Sequence, residues 1–213
     1  MSNQLKHEAK RLERLWAGEF GDAYTGRNAK AAVGRNAFWT RLLAKYNVTS
    51  VLEVGCNLGA NLEWISKIVS PRSVFGIDVN DYALDSLRKR LPDVNAVSSA
   101  ARELPFPNRR FDLVFTAGVL IHQPESTLPL VMAEIVRCSR LYVLAIEYSA
   151  EQTMEVPYRG QTQALFKRDY GRLYLELFPE LRLLEDGLLT PEEGWDNVTY
   201  CLFEQVNSTS DIV

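Results

Sequence analysis

Short apolar runs recur along the chain, most of them followed by a turn and then by apolar positions returning every three or four residues. Val51, Leu52 and Val54 form the first run of this kind. Gly55 and Gly59 punctuate the turn behind it, and over 61–69 Leu62, Ile65 and Val69 share one helical face. Val74-Phe-Gly-Ile-Asp78 repeats the run and ends in an acid; Asp81 is placed to cap a helix through Leu91, stopped by Pro92. Segments 94–97, 111–115 and 141–146 read as three further strands, with a helix over 126–139. Ahead of this series, residues 3–17 carry Leu5, Leu12, Leu15 and Trp16 among charges, an amphipathic helix, and 29–46 read as another with Phe38, Leu42 and Leu43 inward. Between them, 16–28 interleaves aromatics with glycines and ends in Arg27-Asn28, which predicts an ordered lid loop. After the fifth strand come a polar insertion over 149–162, a helix over 163–178, and strands over 181–184 and 198–206. The short separation of the last two, broken by Pro191 and Gly194, predicts an antiparallel edge hairpin. Residues 207–213 are expected to fray.

Five strand–helix units followed by two strands predict an α/β fold, a doubly wound, mostly parallel seven-stranded sheet in the Rossmann-like manner. The expected organisation is one domain over 1–213: N-terminal helices and lid loop in 1–46, an α/β core in 47–206, and the 149–162 insertion on the substrate side. Ligands of such sheets sit beyond the strand C-termini, here the rim carrying Glu53, Gly55, Asp78, Ala100, Thr116 and Glu147. A glycine turn between strand and helix brings backbone amides against a nucleoside, and an acid ending the next strand accepts from its ribose hydroxyls.

Composition narrows the partner. With 213 residues and 46% hydrophobic content the chain can bury a substantial core. A net charge of −3 gives no electrostatic footprint for nucleic acid or an anionic membrane, although the first fifty residues are basic and the tail from Glu176 acidic. Cys56, Cys138 and Cys201 form no CxxC pair, so neither a disulfide framework nor a metal site is expected. The first residues contain no apolar leader core, and no stretch is long enough to span a bilayer; the protein is expected in the cytoplasm. Oligomeric state is left open.

The glycine turn is not the dinucleotide fingerprint. Gly55-Cys56-Asn57-Leu-Gly59 has Asn, which tolerates the left-handed conformation, where the middle glycine would stand. Together with Glu53 and Asp78 it resembles motif I and the ribose acid of class I S-adenosylmethionine-dependent methyltransferases. Ala100-Ala101-Arg102-Glu-Leu-Pro-Phe106 resembles that family's D-A-x-x-L-P-F segment, which holds the adenine, with alanine in place of the acid; Phe111-Asp-Leu-Val-Phe-Thr116-Ala-Gly118-Val119-Leu-Ile-His122 resembles its strand-four segment. The resemblance implies S-adenosylmethionine as cofactor, the methionine end on Gly55, Cys56 and Asn57, its carboxylate on Arg27 or Asn28, and the ribose on Asp78, Val79 and Asn80. It places the adenine beside Ala100, where the acid's side-chain bond is absent and the backbone amides of Ala101 and Arg102 substitute, with Thr116, Gly118, Val119 and Tyr24 completing the cofactor's surroundings.

The words Val156-Pro-Tyr-Arg-Gly160 and Phe166-Lys-Arg-Asp169, with Glu147-Tyr148 and 20–28, are similar to a small methylase family associated with pseudaminic acid and related surface sugars. That resemblance implies a small-molecule, sugar-like acceptor. Tyr148, Tyr158, Arg159, Lys167 and Arg168 offer planar and point-charge donors for a carboxylate or phosphate; surface pairing of Arg159 and Lys167 with Glu151, Glu155 or Asp169 is the blander alternative. His122, Glu147 and Tyr24 are the candidate catalytic groups. His122 is read equally as a proton acceptor and as a structural residue bonding a backbone carbonyl. A cofactor-binding sensor without chemistry remains a second reading, and Glu53 disfavours a nicotinamide oxidoreductase.

Overall fold

The computed structural model describes residues 3–27 and 34–206. Seven strands form one sheet: β1 (Val51–Val54), β2 (Val74–Asp78), β3 (Asn95–Ser98), β4 (Phe111–Ala117), β5 (Ser139–Glu147), β8 (Leu181–Leu189) and β9 (Val198–Gln205). Their order is β3-β2-β1-β4-β5-β9-β8. The first five run parallel, and β9 pairs antiparallel with both β5 and β8. The chain leaves β1 toward β2 on one side and returns to β4 on the other, so the crevice at their C-terminal ends is the switch point at which such sheets bind ligands.

β1 is buried throughout, as expected of a strand covered on both faces. One face is packed by Trp39, Leu42 and Phe115 with Trp195 from the β8–β9 connection. The other is packed by Phe111, Val114, Ile135, Tyr174 and Phe203. Fully burying a large side chain of this kind contributes about 1.5–3 kcal/mol. Helices α3 (Asn36–Lys45), α4 (Leu62–Ile65), α5 (Asp81–Arg90), α6 (Leu128–Cys138) and α7 (Tyr170–Leu177) flank the sheet, and α1 (Asn3–Ala17) with α2 (Glu19–Arg27) lies across its C-terminal rim. At the opposite end, Asp112 fastens β4 to the entry of β1, accepting from the Thr49 amide (2.9 Å), Thr49 Oγ1 (2.6 Å) and the Ser50 amide (3.2 Å).

Several elements depart from the sequence expectation. The predicted lid loop is helix α2, because its glycine permits close packing rather than a bend. A Cβ on Gly21 would lie 1.8 Å from the Trp16 carbonyl oxygen and 2.8 Å from Asn80 Nδ2. The helix expected over 29–46 is described from Asn36, and 28–33 lies outside the described residues. The helix after the glycine turn is only four residues; Ser66 Oγ bonds the Glu63 carbonyl (3.2 Å), and the chain continues in i→i+3 turns. Asn80, not Asp81, caps α5, its side chain accepting from the Ala83 amide at 2.7 Å. The helix predicted from 163 begins at Tyr170, since Gln163 is left-handed (φ 53°) and Asp169 caps from outside, accepting from the Arg172 amide at 2.9 Å. The intervening Phe166–Lys167 is a strand, β7, paired antiparallel with β6 (Met154–Glu155), so the polar insertion carries a small sheet of its own. Segment 207–213 lies outside the described residues.

Candidate active site

A cavity of about 730 Å³ opens at the switch point. Its floor is the turn after β1, where Gly55 (φ 75°), Asn57 (φ 45°) and Gly59 (φ 70°) are all left-handed. The Gly55 and Cys56 amides both donate to the Ile77 carbonyl (2.8 Å each), and the Asn57 amide donates to Asp78 Oδ2 (2.8 Å). A Cβ on Gly55 would stand 2.4 Å from Val119 Cγ2, so glycine is needed for space as well as for conformation. Asp78 Oδ1 accepts from the Asn80 amide at 2.9 Å. Burial raises the Asp78 pKa, against the lowering effect of the Asn80 and Asn57 amides. Each carboxylate oxygen thus keeps acceptor capacity toward the cavity, which Val79 and Asn80 also line.

Glu53 is buried one strand position below the turn. Oε1 accepts from Asn61 Nδ2 at 2.6 Å, and Oε2 has no partner among the described residues. Burial pushes this carboxyl up to about 8, against the Asn61 bond and the Arg35 charge. Arg35 donates to Asn61 Oδ1 (2.9 Å) and the Gly194 carbonyl (2.8 Å), with its guanidinium 4.0 Å from the Trp195 ring centre. The sequence reading missed Arg35 and Asn61. Their signal was a cation and an amide flanking the Glu53 strand, but the cation stands eighteen residues before it, in an interval read only as helix.

On the opposite wall Glu147, an expected proton acceptor, is held by the fold instead. Its Oε1 accepts from the Val119 and Leu120 amides (3.1 Å each) and its Oε2 from the Ile121 amide (3.3 Å). It caps the short helical turn Leu120–His122, faces away from the cavity, and is raised to about 7 by burial against those amides. Thr116 is wholly buried and also falls short of the cavity, whereas Gly118 and Val119 line it. His122 lines the cavity with Nδ1 at 2.6 Å from the Ala164 carbonyl oxygen. Nδ1 must therefore be the protonated nitrogen, leaving Nε2 as the ring's acceptor. Burial lowers its pKa to about 4, so the ring is neutral and weakly basic.

The N-terminal helices roof the cavity. Trp16 packs on His122 (ring centres 4.4 Å apart), and Asn80 Nδ2 donates to the Trp16 carbonyl (3.0 Å) and to Asp22 Oδ1 (2.8 Å). Asn57 Nδ2 reaches Thr25 Oγ1 at 2.8 Å. Tyr24 and Arg27 of α2 face inward; burial raises the Tyr24 phenol to about 12, which makes it a donor and a poor base. Asn28 lies outside the described residues. Ala101 and Arg102 line the cavity but Ala100 does not, and the Arg102 guanidinium is paired with Glu13 of α1, which fastens the roof to the loop after β3.

The mouth is formed by the insertion and the β8–β9 connection. Tyr158, Arg159 and Lys167 line it, with left-handed Arg159 (φ 48°) and Gly160 (φ 77°) turning the chain between bridged Tyr158 and Gln161. Among the described residues neither Arg159 nor Lys167 pairs with a carboxylate, so the blander reading of these two is not what the geometry gives. Arg168 departs from expectation. It is buried beneath the site, donating to the Gln123 carbonyl (3.1 Å) and to the Tyr170 hydroxyl (3.4 Å), with Phe166 under its guanidinium. Tyr148 lines the cavity and its hydroxyl donates to Asp196 Oδ2, a residue absent from the sequence reading. Among the described residues no group of three or more His, Cys, Asp or Glu is gathered as a metal ion would require, and no helix is long and apolar enough to cross a membrane.

Residues 51–141 match a family model described as methyltransferase domain. The Burkholderia thailandensis 1,6-didemethyltoxoflavin-N1-methyltransferase, solved with 1,6-didemethyltoxoflavin and S-adenosylhomocysteine, superposes with a TM-score of 0.74 at 14% identity, over 94% of this chain and 90% of that one. Magnesium protoporphyrin IX methyltransferase from Synechocystis PCC 6803, with bound S-adenosylhomocysteine, gives 0.68 at 10% identity, over 92% and 99%. The fold is that of the class I methyltransferases. In sequence, a phthiotriol/phenolphthiotriol dimycocerosates methyltransferase of Mycobacterium leprae is 33% identical over 92 residues, 42% of this chain and 33% of that protein. A fatty-acid O-methyltransferase of Mycolicibacterium smegmatis is 33% identical over 66 residues, 30% and 24%. The matched stretches thus span a third or less of these relatives.

The cavity suits S-adenosylmethionine on its own terms. The unpartnered, buried Glu53 Oε2 calls for a donor such as an ammonium. Arg35 offers a cation to a carboxylate, Asp78 offers acceptors to a diol, and the Gly55 cradle admits a close approach of backbone that any Cβ would block.

Proposed function

We propose that the protein transfers a methyl group from S-adenosylmethionine to a small anionic acceptor, a precursor of a surface sugar of the nonulosonic acid type. The observation that carries the cofactor half is the unpartnered Glu53 oxygen beneath the Gly55 cradle, with Asp78 one strand away. In this reading Asp78 holds the ribose, the Glu53–Asn61–Arg35 chain holds the two charged ends of the methionine portion, and Ser99, Ala101 and Arg102 border the adenine. The cofactor supplies an electrophilic sulfonium methyl that an acceptor heteroatom displaces in line with the sulfur. The protein's part is alignment and exclusion of water beneath the α1–α2 roof. The acceptor half rests on Arg159 and Lys167, two cations at the mouth with no carboxylate partner among the described residues, in a chain of net charge −3.

The test is incubation with methyl-labelled S-adenosylmethionine, a small-metabolite extract and nucleotide-activated nonulosonic acids, with Asp78→Ala as control. Label entering a sugar in the wild type and not in the variant supports both halves. Label entering another metabolite keeps methyl transfer and discards the sugar. Binding of the cofactor without any transfer leaves a sensor.

A further inference from the structure

We infer that Asp196, oriented by Tyr148, receives the proton that the acceptor loses during methyl transfer, which makes the acceptor an O–H or N–H nucleophile. This inference rests on the methyl-transfer reading above.

Among the described residues four carboxylates border the cavity: Glu13, Glu53, Asp78 and Asp196. Glu13 is neutralised by Arg102. Glu53 lies under the cradle bonded to Asn61, and Asp78 accepts two amides at the nucleoside end. Neither expected base is suited. Glu147 spends both oxygens on three amides and faces away, while His122 is weakly basic with Nδ1 committed to the Ala164 carbonyl. Of the four carboxylates Asp196 alone is solvent-exposed, so it can pass a proton onward.

Its placement is specified by the fold. Thr190 and Glu193 form a capping box over the helical turn Pro191–Glu193, Gly194 (φ 80°) reverses the chain, and buried Trp195 pins the loop to the core. Tyr148, the first residue after β5, directs its hydroxyl to Asp196 Oδ2; among the described residues Oδ1 has no donor. The charged and titratable groups facing the pair among the described residues are Arg35 before α3, Tyr24 on α2 and Tyr158 of the insertion, with Lys167 of β7 lying 5.6 Å from the Tyr148 ring centre.

The step balances without another reagent. The acceptor's lone pair forms the bond to the methyl carbon, the carbon–sulfur pair leaves with sulfur, and the acceptor's proton goes to Asp196 Oδ1 and then to solvent. Tyr148 is a positioning residue and Asp196 the catalytic one.

The experiment compares wild type, Asp196→Asn and Tyr148→Phe in the labelled-methyl assay from pH 5 to 9, using the extract fraction that the wild type labels, with calorimetric titration of S-adenosylhomocysteine alongside. Asparagine keeps the Tyr148 bond at an exposed loop position, so folding is preserved. The expected result is a loss of at least about 100-fold in kcat for Asp196→Asn, a smaller loss in kcat for Tyr148→Phe, and product-analogue affinity within twofold of wild type for both. An Asp196→Asn rate within threefold of wild type overturns the inference while leaving methyl transfer standing. So does an equal loss of analogue affinity, which would assign Asp196 to the cofactor. A wild type that binds the analogue yet labels nothing removes the reaction the base serves and overturns both readings.

Discussion

Replacing Glu147 separates a fold-holding carboxylate from a proton-handling one. Its two oxygens satisfy three amides, those of Val119, Leu120 and Ile121, at a wholly buried position. In Glu147→Gln one oxygen can still serve Val119 and Leu120, but the new NH₂ faces the Ile121 N–H. One bond is lost and two donors oppose each other, a cost of about 1–3 kcal/mol for the stranded group. In Glu147→Ala all three amides are stranded and a cavity opens, so the expected loss is about 3–6 kcal/mol, enough to unfold a marginal domain. Urea denaturation followed by circular dichroism gives both values from the shift in midpoint at constant slope. Kinetics of the folded Gln variant should stay within about tenfold of wild type, because the side chain does not reach the cavity. A Gln variant as stable as wild type but inactive would refute this account and return Glu147 to catalysis.

Three other outcomes follow from the same geometry. Gly55→Ala places a Cβ 2.4 Å from Val119 Cγ2 at φ 75°, and should destabilise by about 2–4 kcal/mol and weaken S-adenosylhomocysteine binding in calorimetry. Glu53 has its pKa raised by burial from 4.5 to about 8, so between those values the native state holds a proton that the unfolded chain has released. The stability it contributes is present at acidic pH and is lost as pH rises through 8; thermal melts of Glu53→Gln should therefore lack part of the wild-type decline, with Glu147 supplying the remainder nearer pH 7. An ammonium at Glu53 favours the carboxylate, so cofactor affinity in the wild type should rise as pH approaches 8. Arg159→Ala with Lys167→Ala should raise KM for an anionic acceptor by about tenfold or more with little change in S-adenosylhomocysteine affinity, as steady-state kinetics would show.

What the sequence made legible is what local pattern encodes. The five parallel strands, the turn from Gly55 to Gly59 and the acid at Asp78 each announce themselves within a dozen residues, and the turn and the acid line the cavity. The parts that escaped depend on distant partners. Segment 16–28 looked like a loop because its glycines are helix-weakening in isolation; only docking against Trp16 and Asn80 shows Gly21 as a packing site. Glu147 looked catalytic by its place at a strand end, and the three amides that occupy it come from a turn nearly thirty residues earlier. Arg168 sits one residue from Lys167, just past the end of β7, yet it is buried, because its guanidinium is taken up by the Gln123 carbonyl and the Tyr170 hydroxyl. Arg35 and Asp196 became visible only when the N-terminal segment and the β8–β9 loop met over Trp195.

The most direct measurement is calorimetric titration of S-adenosylhomocysteine into wild type, Asp78→Ala and Arg35→Met. Saturable one-site binding to the wild type, weakened about tenfold or more in each variant with their folds intact by circular dichroism, is the expected result. No binding to the wild type, or equal affinity in all three proteins, would contradict the assignment of this cavity to S-adenosylmethionine.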